Sequence, residues 1–109
     1  MIKTPKGAPA EVKRVIEQFN HFLENLTTDQ IGYETYGSAE EHLDFLKTVG
    51  FSAYQADDEW FIGSVFEESY SIFYRDNQWW TRRCYDGQDS KIEHGAREVI
   101  ADLKCSITA

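Results

Sequence analysis

Bases are short relative to acids in this 109-residue chain: eleven Lys and Arg stand against nineteen Asp and Glu, a formal charge of −8. Through the middle the shortage is nearly complete. Between Glu24 and Tyr74 the single base Lys47 faces eleven acids, a local balance of −10, while the first 23 residues sum to +2 and residues 75 to 109 to zero. Such a field repels phosphate backbones at long range, so direct nucleic-acid binding is not expected. It attracts basic partners, and it also keeps a small protein in solution without any further role.

Cysteine is scarce as well. Cys84 and Cys105 are too few and too far apart for a disulfide framework or a zinc motif, and read as two reduced thiols. No run is long and apolar enough to span a bilayer. The opening "MIKTPKGAPAEVKR" lacks the apolar stretch of a secretory signal, so a cytoplasmic location with no membrane span is the expectation.

Signatures of chemistry are missing too. Cys84 could meet His21, His42 or His94 in space, but "RRCYDG" carries no nucleophile motif. His42 and Asp44 sit two apart on a helical pattern, where they do not share a face and make a poor metal pair. Asp57/Asp58 and Glu67/Glu68 fall in tight, wet turns, where carboxylates do no acid–base work. There is no glycine-rich phosphate loop and no RNP signature. No catalytic residue, metal or cofactor is expected.

What is present is apolar and ring-rich, 41% hydrophobic and 15% aromatic, enough to pack one small domain over residues 1–109. Residues 1–8 read as a flexible N-terminal arm. Pro9 then sits in the first turn of a helix whose Val12, Val15, Ile16, Phe19, Phe22, Leu23 and Leu26 recur at three- and four-residue spacing. Thr27 or Thr28 caps a short turn, or "IGYETY" is extended; the pattern leaves both open. "SAEE" is a capping box opening a second helix at Ser38, with Gly50 as a left-handed stop.

From Phe51 the period becomes two. Four strands are expected: 51–56, 60–66, 69–75 and 78–85. Asp76-Asn77 is suited to a two-residue hairpin turn, and Asp57–Glu59 reads as a three-residue turn placing Tyr54 beside Ile62. "SKIE" suggests a third helix capped by Ser90, with Gly95 allowing close packing on the sheet. The fold class is α+β: two N-terminal helices, a four-stranded antiparallel meander, and a C-terminal helix packed on the sheet.

Strict alternation sorts the rings. One face collects Phe51, Ala53, Phe61, Val65, Tyr70, Ile72, Tyr74 and Trp79, free of charge and suited to the core. The other collects Tyr54, Trp60, Ile62, Phe66, Phe73, Trp80, Arg75, Arg82 and Cys84. Three amphipathic helices cover one face. The second either curls into the interior or stays open, and an open face of this kind implies a partner or a homodimer.

The expectation is therefore a non-catalytic acidic binding protein, an inhibitor or immunity-type partner that blocks a basic, nucleic-acid-handling protein. Asp57, Asp58, Glu59, Glu67 and Glu68 would steer the encounter, and Trp60, Trp80 and Arg82 would anchor it. Two alternatives stand beside it. One is a small-molecule binder or minor enzyme with a sheet–helix pocket lined by Cys84, His94 or Tyr85. The other is a homo-oligomeric structural module hiding the ring face against itself.

Overall fold

Helix α1 runs over Ala10–Glu24 in the computed structural model, which describes residues 1–31, 37–66 and 69–108. Pro9 is its N-cap, and Val12, Val15, Ile16, Phe19 and Leu23 form its buried stripe, as the spacing requires. The opening segment lies against this helix. Ile2 is buried, and its backbone exchanges two 2.9 Å hydrogen bonds with the side-chain amide of Asn20. Thr27 caps a 3₁₀ turn at Thr28–Gln30, and the Gln30 side chain accepts the Thr27 N–H at 2.8 Å. Of the ambiguous "IGYETY" stretch, all but Ile31 lies outside the described residues.

Helix α2 spans Ala39–Thr48, and the Ser38 half of the expected capping box is present: Ser38 Oγ accepts the Glu41 N–H at 3.1 Å. Gly50 ends it for a different reason than expected. It is not left-handed; a Cβ there would fall 3.0 Å from Leu46 Cα and 3.3 Å from the Phe45 carbonyl oxygen. Close approach to the helix, not backbone handedness, is what demands glycine.

Five strands follow, one more than the meander expected: β1 (Phe51–Ala56), β2 (Glu59–Ser64), β3 (Tyr70–Arg75), β4 (Gln78–Arg83) and β5 (Asp89–Lys91). They form one antiparallel sheet in the order β1-β2-β3-β4-β5. The extra strand comes from residues assigned to the third helix. Ser90 pairs with Thr81 instead of capping, and helix α3 starts later, spanning Gly95–Cys105. The Glu98 carboxylate accepts the His94 N–H at 3.1 Å. Gly95 serves that start, with φ at +56° and open space where a Cβ would sit, so it does not mediate close packing.

The β3–β4 hairpin turns on Asp76 and Asn77 as expected, with φ of 53° and 60°. The β1–β2 hairpin corrects the expectation. Ala56 faces Glu59, so the turn is Asp57-Asp58 alone, with Asp57 at φ 55°, and Tyr54 pairs with Phe61 rather than Ile62. A one-residue change of register turns every side chain of a strand to the other face. Trp60 and Ile62 therefore point to the helices, and Phe61 points away. Val65, Phe66 and Cys84 lie beyond the strand ends and are exposed.

All three helices pack on one face. Their buried stripes meet Phe51, Ile62, Ile72, Tyr74 and Trp79 in a single core that Trp60, Ala53 and Tyr70 border. The strand residues of this core all share that face by register, and no described helix packs on the other.

Candidate functional site

A continuous row of side chains crosses the uncovered face. Register places Tyr54, Phe61, Phe73, Trp80 and Lys91 side by side on the five strands. The rings touch in sequence. Tyr54 stacks on Phe61 with centroids 5.0 Å apart and planes 12° apart, and Phe61 meets Phe73 at 5.4 Å. Such cross-strand ring pairs stabilise a sheet directly.

Phe73, in the middle of this row, is 0% exposed although no helix covers it. Charged side chains cover it instead. Arg82 reaches across the ring from one end of the sheet and Arg75 from the other, their guanidinium carbons 4.5 and 5.3 Å from the Phe73 centroid. Two carboxylates fix both arginines. Arg82 donates to both oxygens of Glu59, at 3.1 and 2.6 Å, and through Nε to Asp89 at 2.7 Å. Arg75 Nη1 donates to Glu59 at 2.8 Å and to Asp89 at 3.2 Å. Arg75 also lies 5.1 Å from the Trp80 ring, whose Nε1–H donates to the Arg75 carbonyl at 3.2 Å. Planar bidentate pairing is what guanidinium does better than ammonium.

Ionisation follows the geometry. The Arg82 hydrogen bond is the largest influence holding Glu59 below the usual carboxylate range, and it acts likewise on Asp89, in both cases outweighing burial. Hydrogen bonds from Glu59 and then Asp89 push Arg82 upward. For Arg75, burial opposes the charge, but the same two carboxylates outweigh it and its pKa also rises. The four groups stay charged together and balance one another.

Because the strands alternate in direction, the Asp57-Asp58 and Asp76-Asn77 turns lie at one end of the sheet. Asp57, Asp58 and Asp76 are exposed there, and among the described residues the only ion pair they make is a loose 3.8 Å contact from Arg75 to Asp76. With both arginines of the ring face held internally, these carboxylates set the sign of that end.

The residues expected to form a contact surface thus separate. Asp57 and Asp58 are exposed at the turn, and Trp80 is half-buried on the uncovered face. Glu59 and Arg82 are also on that face, bonded to each other. Trp60 faces the helices, its ring edge beside Gly7. Glu67 and Glu68 lie outside the described residues. Tyr54, 54% exposed, is the ring most open to solvent in the row. Asp89 was given no role by the sequence pattern, which began the third helix at Ser90, so its part in the charge lattice was missed. The available signal was its own charge, three residues before the buried Ile92 of a segment otherwise free to extend.

Cys84, Cys105 and Tyr85 are exposed and His94 stands at the start of α3; none of Cys84, His94 or Tyr85 lines the cleft between sheet and helix described below. Among the described residues no three His, Cys, Asp or Glu side chains are grouped to hold a metal, and no helix is long and apolar enough to cross a membrane. No family model, curated protein or solved structure matches this chain.

Proposed function

We propose that this chain is a non-catalytic acidic binding protein that docks on a basic, nucleic-acid-handling protein and blocks it, as an inhibitor, immunity or anti-defence partner does. One observation carries the reading: an uncovered sheet face with a row of rings ends in exposed carboxylates at Asp57, Asp58 and Asp76, while its arginines are neutralised internally. Turn carboxylates in the place of phosphates would give fast, salt-sensitive encounter, and Tyr54 and Trp80 would supply the apolar contact. Glu59 and Arg82 hold the surface in shape. The test is affinity capture at low and high salt, followed by competition with nucleic acid. The reading expects a basic protein that nucleic acid displaces and that the double variant Asp57→Asn/Asp58→Asn fails to hold. Capture that is indifferent to both nucleic acid and those two substitutions would refute it.

A second reading rests on the sheet edge. Strand β1 is at the margin, and its "FSAYQA" carries no charge and no proline, the usual guards against strand addition. Antiparallel pairing of two copies centred on Tyr54 would bring Asp57 opposite Phe51 and no acid opposite an acid, forming a homodimer with a continuous sheet. Sedimentation decides it: a monomer at high concentration removes this reading.

A further inference from the structure

Pairing between β2 and β3 stops at Ile62 opposite Ile72, although β2 continues to Ser64 and β3 begins at Tyr70. A cleft of about 140 Å³ lies at that parting, lined from both sides of the sheet. Tyr54, Phe61 and Gly63 reach it from the uncovered face, Asp102 and Ser106 of the α3 end from the other. Gly63 leaves it open, since a Cβ there would meet no atom within 4 Å.

Its chemistry is one-sided. Among the described residues the lining holds hydroxyls and rings but a single charge, the Asp102 carboxylate, and no Lys, Arg or His. Asp102 makes no hydrogen bond or ion pair among the described residues, and burial, then Glu98, push its pKa up, the state of a carboxylate without a counterion. Ser106 Oγ donates to the Leu103 carbonyl at 2.7 Å and so keeps its lone pairs to accept. A cavity of about 150 Å³ admits a benzene-sized body.

We propose that this cleft binds a small organic ammonium compound, its N–H groups donating to Asp102 and Ser106 and its apolar body lying against Phe61 and Tyr54. An anion is repelled by the carboxylate, and a neutral alcohol can donate one hydrogen bond to it but leaves its charge uncompensated. The site shares Tyr54 with the proposed docking surface, but its charged group, Asp102, belongs to α3 on the helix-covered side, so the site stands whether or not the acidic turns dock a partner.

The test is a titration of the ¹⁵N-labelled protein, followed by amide NMR, with benzylamine, benzyl alcohol and benzoate. Benzylamine should shift the amides of Gly63, Ser71, Asp102 and Ser106, bind at least about tenfold more tightly than the alcohol, a difference of about 1.4 kcal/mol, and benzoate should shift none. Asp102→Asn should erase the preference for the amine. Gly63→Val, which fills the opening, should abolish binding of both while the remaining spectrum reports an intact fold. Shifts confined to the acidic turns, equal binding of amine and alcohol, no binding at all, or undiminished amine binding by either variant would overturn the proposal.

Discussion

Replacing Arg82 by Met tests whether charge, in place of a helix, closes the second face of the sheet. Methionine keeps much of the aliphatic cover over Phe73 but removes the guanidinium from above the ring and from Glu59 and Asp89. The ring contact contributes about 1 kcal/mol in a partly desolvated setting. The ion pairs fall between two limits. Exposed pairs contribute at most about 1 kcal/mol, and removing one member of a buried pair costs about 3–5. With the side chains of Glu59, Asp89 and Arg82 at 15%, 23% and 30% exposure, about 2 kcal/mol is appropriate. The variant also leaves two carboxylates competing for Arg75. Urea unfolding at neutral pH, followed by tryptophan fluorescence, should show a loss of about 2–3 kcal/mol, with a coupling of about 1 kcal/mol to Glu59→Gln in a double-mutant cycle. A loss under about 0.5 kcal/mol, or no coupling, would refute the idea that these pairs seal the face.

Other expectations follow from the same structure. Glu59 and Asp89 have folded pKa values below their ordinary 4.5 and 3.8, so the stability they contribute is complete above that range and is lost as pH falls through the lowered values. Acid titration of the unfolding free energy should steepen below about pH 4.5 in the parent, by up to about 1.4 kcal/mol per pH unit for each proton taken up, and less in Arg82→Met. Asp102 works with the opposite sign, because its raised pKa favours the protonated form. Phe73→Ala should cost about 3–5 kcal/mol in the same urea assay, like a core residue, whereas Tyr54→Ala at the exposed end of the row should stay near 1 kcal/mol or less. Asn77→Gly, at φ 60° in the β3–β4 turn, should raise the melting midpoint through a gain of about 0.5 kcal/mol.

Much of the architecture was legible in the chain, because short-range physics decides it. Three- and four-residue spacing produced α1, Ser38 with Glu41 opened α2, and two residues that tolerate positive φ made the Asp76-Asn77 turn. Period-two alternation located β1 to β4. Charge counting found the acidic middle, since that needs no geometry. The Asp76-Asn77 turn also fixed the β3–β4 register, with Tyr74 opposite Trp79 and Phe73 opposite Trp80; what failed was the pairing on either side of that hairpin. Whether the first hairpin turns in two residues or three is a small local difference, yet it exchanged Trp60 and Ile62 for Phe61 between core and surface. Ser90 looked like a cap by local rules and became a strand residue because β4 offered it an unpaired edge. Glu59, Arg75, Arg82 and Asp89 lie up to 30 positions apart in the chain, and only the folded sheet stacks them over one ring. Local propensity determined the elements; register, a long-range property, decided which side chains meet and therefore which remain free to bind anything else.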